Sequence, residues 1–238
     1  MTSSIQGHVL ITGAGSGIGH ATAIAFAQAG FHLVLVGRSI AKLEAVAAKA
    51  QSFGVTAQAV SIDLAEVETV KAKLQAIDAP IDVLINNAGM GYTNTLLDTS
   101  LEDWQQVMTL NLTSVFQCIQ AFLPQMRDRK RGTIVNIASI AAANAFPGWG
   151  AYSVSKAALV ALSKTLAVEE RSHGIRVVSI SPGSVNTPIW DTDTVQADFD
   201  RAQMLTPEMV AQTILHTVLL PAQAVIEDLT IAPSAGAL

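Results

Sequence analysis

Short apolar runs recur along the chain at residues 9–11, 33–36, 59–62, 83–85, 134–137 and 177–180. Each is only a few residues long and shows little of the alternation of a half-solvated strand, so each reads as a strand covered on both faces of a parallel sheet. A run at 229–231, stopped by Ala232 and Pro233, reads as a last strand. Between these runs, apolar positions repeat with the helical period over 21–29, 41–53, 67–77, 104–126 and 151–170. Strand and helix alternate strictly. This predicts an α/β fold, a doubly wound parallel sheet of about seven strands with helices on both faces, built as a single domain over 1–238.

Parallel strands need crossover connections, and ligands then gather beyond the carboxyl ends of the strands, so chemistry is expected just after each apolar run. One stretch breaks the rhythm. Residues 184–205 carry Pro188, Trp190, Asp191, Asp193, Asp198 and Asp200 without a clear period. A loop of that length in a compact domain is expected to serve as a mobile substrate lid.

Half of the 238 residues are hydrophobic and 14% are charged, enough to bury a large core. The formal net charge of -5 gives no general attraction for phosphate backbones, so no nucleic-acid partner is expected. The densest basic run, Arg127, Arg129, Lys130 and Arg131, reads as a solvated helix end, with a docking patch as the alternative. A single cysteine, Cys118, excludes an intrachain disulfide and sits among apolar neighbours, as a buried thiol in a reducing, cytoplasmic setting would. The first strand runs at once into a glycine-rich turn, so neither a signal peptide nor a membrane span is expected. Nothing in the pattern calls for a metal ion.

That turn is Thr12-Gly13-Ala14-Gly15-Ser16-Gly17-Ile18-Gly19, followed by helix-forming residues. Glycines let the backbone approach a pyrophosphate at a helix N-terminus. Ile18 stands where the general dinucleotide fingerprint has its third glycine, which leaves the variant Thr-Gly-x-x-x-Gly-x-Gly. Three more motifs follow strands or open helices: Asn86-Asn87-Ala88-Gly89, Tyr152-Ser153-Val154-Ser155-Lys156 and Pro182-Gly183. In order and spacing the four resemble the short-chain dehydrogenase/reductase family. The resemblance implies a Rossmann-type fold and a nicotinamide-dependent oxidoreductase. It implies a cofactor-binding set of Thr12, Gly13, Gly15, Ser16, Gly17, Ile18, Gly19, Arg38, Asp63, Leu64, Asn87, Ala88, Gly89, Tyr152, Lys156, Pro182, Gly183, Val185 and Thr187. Asn86 holds the strand end beside the ribose on the same resemblance.

Tyr152 and Lys156 are four residues apart and project from one helical face. A phenol is a poor proton donor or acceptor near neutrality, and a neighbouring ammonium is expected to draw its pKa down toward the working range. For ketone reduction, hydride passes to the carbonyl carbon, Tyr152 gives its proton to the oxygen and Ser139 hydrogen-bonds that oxygen. By resemblance Lys156 also holds the nicotinamide ribose, and Asn111 interrupts its helix to hold a water that relays protons to Lys156. The catalytic set is therefore Asn111, Ser139, Tyr152 and Lys156.

The second strand ends in Val36-Gly37-Arg38-Ser39. An acidic residue there binds two ribose hydroxyls and an arginine accepts a 2′-phosphate, so Arg38 favours NADP(H) over NAD(H). Asp63 hydrogen-bonds the adenine amino group in the resembling family, yet Asp63-Leu64-Ala65-Glu66 equally reads as a capping box for the next helix. Met90, Tyr92, Phe146, Trp149 and Trp190 are expected around the nicotinamide, with Ser139, Phe146, Trp149 and Trp190 meeting the substrate, which makes a hydrophobic carbonyl compound and its alcohol the natural pair. Two alternatives stand beside this. Arg129 and Arg171 near helix ends resemble the carrier-docking arginines of 3-oxoacyl-acyl-carrier-protein reductases, and a cofactor-binding redox sensor would keep the fold without turnover. Small residues at Ala157, Ala158, Ala161, Leu162 and Thr165 along one helix allow close packing with a second copy, giving a homodimer or homotetramer.

Overall fold

Seven parallel strands form one sheet in the order β3-β2-β1-β4-β5-β6-β7 in a computed structural model, which describes residues 6–197 and 199–236. The strands are β1 His8–Thr12, β2 His32–Gly37, β3 Ala57–Ser61, β4 Ile81–Asn86, β5 Gly132–Ile137, β6 Ile175–Pro182 and β7 Asp228–Ile231. Asp198, one of the acidic residues of the expected lid, lies outside the described residues.

Successive residues of each central strand face opposite sides of the sheet, and both sides are apolar. Val9, Ile11, Val83, Ile85, Val135 and Ile137 pack on one side against α1 (Gly17–Gln28), α2 (Ile40–Gln51) and α7 (Pro207–Leu219), through Phe26, Leu43, Val46 and Ile214. Leu10, Leu84, Ile134 and Val177 face the other side, against α3 (Val67–Gln75), α5 (Ser114–Arg129) and α6 (Gly150–Glu170), through Leu74, Val115, Phe122 and Leu159. Two-sided burial is why these strands read as continuous apolar runs. The strand order reverses direction between β1 and β4, and the crevice beyond their carboxyl ends is where a ligand is expected.

The helix expected over 104–126 begins earlier and has three parts: α4 (Leu101–Met108), a π turn at Thr109–Thr113 and α5. Together they make one helical stretch, Leu101–Arg129, long and apolar enough by length and composition to cross a membrane. It is a core helix here, since Val107, Val115, Cys118, Ile119, Phe122 and Met126 are buried against the rest of the fold. Burial pushes the Cys118 thiol up to about 12, so it is not an available nucleophile. The helix expected over 21–29 starts four residues sooner, at Gly17, because glycines that look like loop also form its first turn. Helix α7 was not expected at all, although Pro207 at its first position and the Thr206 hydroxyl accepting from the Met209 amide (3.4 Å) give it an ordinary start.

The capping box expected at 63–66 does not form. The Asp63 carboxylate accepts from the Ala65 amide (2.9 Å) in a tight local turn. Helix α3 begins only at Val67, and Glu66 makes no cap bond but pairs with Lys73 at 2.7 Å. A side chain that satisfies an amide two residues on competes with a helix start, and here the turn prevails.

Candidate active site

A cavity of about 990 Å³ runs along the carboxyl ends of the strands, from Arg38 and Asp63 past Gly15 to Tyr152 and Trp190. At its near end the first-turn amides of α1 have no carbonyl one turn back, and Ser16, Gly17 and Ile18 line the cavity. The Ser16 side chain caps none of these amides. The turn is tight enough that a Cβ on Gly19 would stand 2.3 Å from the Gly13 carbonyl oxygen. Gly19 therefore serves the turn itself and does not line the cavity.

Thr12 is also behind the wall. Its hydroxyl accepts from the amides of Asn87 and Ala88, each at 3.0 Å, and donates to the Ile85 carbonyl at 3.4 Å. The Asn87 side chain donates to the Thr12 carbonyl at 3.0 Å. These bonds tie the ends of β1 and β4 together where the crevice opens. Asn86 is fully inside the sheet, donating to Asn136 at 2.8 Å, and Asn136 donates to Ser163 of α6 at 2.9 Å. That buried chain seats α6 on the sheet.

Helix α6 carries Tyr152 and Lys156 on one face. The Lys156 Nζ donates to the Ile137 carbonyl at the end of β5 (2.8 Å) and lies 5.8 Å from the centre of the Tyr152 ring. Burial pushes the Lys156 ammonium down to about 8. Burial also pushes the Tyr152 phenol above its ordinary value, with the Ser139 hydroxyl pulling it partly back. The expected lowering of the phenol by Lys156 is not what this structure gives: desolvation is the larger influence on Tyr152 and raises it, so the phenol stays protonated at neutral pH. Ser139 accepts from the Ala141 amide at 3.2 Å, and its hydroxyl faces the Tyr152 phenol in the same cavity.

Asn111 sits in the π turn, fully buried. Its side chain accepts from the Met90 amide (2.8 Å) and donates to the Met90 carbonyl (3.0 Å) and Ser155 Oγ (3.1 Å). It thus joins the π turn, the segment after β4 and the helix that bears Tyr152 and Lys156, without lining the cavity itself. Tyr92, expected around the nicotinamide, is not there. It packs with Val107 and Ala151 and donates to Asp103 at 3.1 Å. Met90, Phe146, Trp149 and Trp190 do line the cavity, as do Leu64, Gly89, Pro182, Gly183, Val185 and Thr187.

Several lining residues had no signal in the sequence reading. Lys42, at the start of α2, stands beside Gly15 and lines the same cavity as Arg38. Phe199 meets Trp190 edge to face, and Ser184 offers a buried hydroxyl with no partner among the described residues.

A family model described as short chain dehydrogenase matches residues 7–198. The chain belongs to the short-chain dehydrogenase/reductase family. A 3-oxoacyl-[acyl-carrier-protein] reductase of Synechocystis is 37% identical to this short-chain dehydrogenase/reductase over 97% of this chain and 96% of its own. A sepiapterin reductase of Chlorobaculum tepidum is 33% identical over 96% of each. The crystal structure of L-sorbose reductase from Gluconobacter frateurii, complexed with NADPH and L-sorbose, superposes with a TM-score of 0.87 at 31% identity over 98% of both chains. The chain is an oxidoreductase of the kind that acts on CH–OH and C=O groups.

Proposed function

We propose that this enzyme reduces a hydrophobic ketone to a secondary alcohol, and runs the reverse oxidation, with NADP(H) as hydride carrier. The observation that carries the reading is the convergence of Ser139, Tyr152 and Lys156 on one cavity, with unpaired helix amides at one end and aromatic rings at the other. The residues fit a dinucleotide: first-turn amides for a pyrophosphate, the unpartnered Ser184 hydroxyl, and Arg38 with Lys42 for a phosphate on the adenosine ribose. Arg38 makes no side-chain hydrogen bond or ion pair among the described residues. The relative crystallised with NADPH supports the same choice.

When bound, the nicotinamide supplies the hydride that reduces the carbonyl carbon. The Tyr152 phenol, kept protonated by its buried setting, gives its proton to the carbonyl oxygen as that oxygen becomes an alkoxide. Ser139 Oγ–H donates to the same oxygen and offsets its developing charge, a contribution on the order of hundredfold in rate. Lys156, fixed to the Ile137 carbonyl, presents its remaining N–H groups to the ribose and keeps a positive charge near the phenol as it loses its proton. Asn111 positions this helix through Ser155. In the oxidation direction each transfer runs backwards.

The 37% identical relative favours a second reading, reduction of 3-oxoacyl groups on a carrier protein. The candidate docking arginines are otherwise engaged: Arg129 bonds the Ile81 carbonyl at the opposite end of β4, and Arg171 pairs with Glu227 at 2.8 Å. A redox sensor would have no use for the full set of Ser139, Tyr152 and Lys156. NADPH consumption with free ketones and with acyl-carrier thioesters separates the three. Free ketones turned over faster support the proposal, thioesters alone support the carrier reading, and silence on both supports the sensor. In the same assay Arg38→Ala is expected to raise the KM for NADPH about tenfold and leave that for NADH within about twofold; equal losses with both cofactors contradict the phosphate role.

Helix α6 leaves Val154, Ala157, Ala161, Thr165 and Val168 exposed in one stripe, and α5 exposes Phe116. Helices with small residues on such a face pack closely against a symmetric copy, and a homodimer through α5 and α6 is the proposed minimal assembly.

A further inference from the structure

The two ends of the cavity differ in charge as well as shape. Arg38 and Asp63 follow β2 and β3, and Lys42 lies in the first turn of α2, all on the far side of β1 from the catalytic helix. Beyond Tyr152, three rings continue outward in edge-to-face contact. Trp149 lies 5.3 Å from Tyr152, Trp190 lies 5.9 Å from Trp149, and Phe199 lies 5.4 Å from Trp190, centre to centre. Trp190 is pinned by donating its indole N–H to the Val185 carbonyl at 2.7 Å.

The charged side chain lining this aromatic end is a carboxylate. Asp193 is exposed at the cavity and has no hydrogen bond or ion pair among the described residues. A cation does occur in the same segment, but Arg201 is spent on its own loop. Its guanidinium donates to Asp191 (2.6 Å), to the Asn186 side chain (2.9 Å) and to the Thr187 carbonyl (2.9 Å). Lys156 is held by Ile137. An anionic substituent reaching past Tyr152 therefore meets a carboxylate and no available cation among the described residues.

We propose that the substrate is a ketone whose far end bears an aromatic ring that is neutral or positively charged, and that the site discriminates against carboxylates. The inference rests on the ketone-reductase reading and names its substrate class. A flat ring laid against the exposed faces and edges of Trp149, Trp190 and Phe199 gains aromatic contacts that an alkyl chain of similar area does not. A protonated amine on that ring is attracted both by Asp193 and by the indole faces. A carboxylate in the same place is repelled by Asp193 at a rim where water screens only part of the field.

The test compares kcat/KM, followed by NADPH consumption, for benzylacetone, its para-aminomethyl and para-carboxy derivatives, and methyl hexyl ketone. The aminomethyl and neutral compounds are expected at least about tenfold above the carboxylate, and benzylacetone about fivefold above the alkyl ketone. Asp193→Lys is expected to invert the ratio of aminomethyl to carboxy compound. A carboxylate turned over as well as the amine by the unmodified enzyme overturns the proposal, and so does preference for the alkyl ketone. No turnover of any of the four overturns the reductase reading along with it, whereas turnover with a flat or inverted charge order overturns this proposal alone.

Discussion

Lys156 is the residue at which stability and the proposed chemistry oppose each other. Its folded value, about 8, lies below the ordinary lysine value. Below pH 8 the fold bears the cost of a buried charge, and that cost disappears as pH rises from about 8 toward the ordinary value. Lys156→Met removes the cost and loses the bond to the Ile137 carbonyl, which offsets part of the gain. At neutral pH the variant is expected to be more stable to urea by on the order of 1 kcal/mol, with ketone reduction falling at least about hundredfold. Lower stability would mean that the lysine is held for structure. In the unmodified enzyme, kcat for reduction is expected to hold steady below about 8 and to fall as Lys156 loses its charge above it; a profile flat well beyond that range would remove the charge from the mechanism. The spacing of Tyr152 and Lys156 was legible in the sequence, because a helix of known period fixes which side chains share a face. The direction of the Tyr152 shift was not, because it depends on how completely the neighbouring segments exclude water.

At the scale of elements, Thr194 and Gln196 hold their part of the irregular stretch down on the segment after β4. The Thr194 hydroxyl donates to the Gly91 carbonyl at 2.8 Å, and the Gln196 amide donates to Thr93 Oγ1 at 2.7 Å. Gly91 permits this approach, since a Cβ there would stand 2.6 Å from Val195 Cγ2. Gly91→Ala is expected to lift the segment and raise the KM for the ketone about tenfold, with NADPH binding changed by less than about twofold. An unchanged ketone KM would mean that the segment is not a substrate lid. Irregularity marked this stretch in the sequence, but its anchors are pairs some hundred residues apart, such as Thr93 and Thr194, which no local pattern announces. The strands were easier to read, since two-sided burial leaves an unbroken apolar run. Helix α7 follows the irregular stretch, yet its buried positions Val210, Ala211, Ile214, Thr217 and Val218 recur at the helical spacing after Thr206 and Pro207, so the signal for it was present.

At the scale of the molecule, one sheet carries the whole arrangement, and its strand order fixes which motifs meet. Arg38 and Trp190 lie far apart in sequence, and the crevice at the reversal between β1 and β4 makes them two ends of one cavity. Motif order sufficed to infer this, but which residues face the cavity and which stand behind it, as Thr12, Gly19, Asn111 and Tyr92 do, required packing. The exposed stripe on α6 makes an assembly prediction: Val168→Glu, at a residue 71% exposed, is expected to shift the protein from dimer to monomer in sedimentation velocity, and an unshifted dimer would move the interface elsewhere. The proposed reaction depends on the Tyr152 phenol as proton donor beside bound NADPH. The most direct measurement is single-turnover reduction of benzylacetone by NADPH with Tyr152→Phe, a change that removes one oxygen and keeps the ring against Trp149. The expected rate is lower by about a thousandfold, with NADPH affinity within about threefold of the unmodified enzyme; a rate within about tenfold would remove Tyr152 as the proton donor.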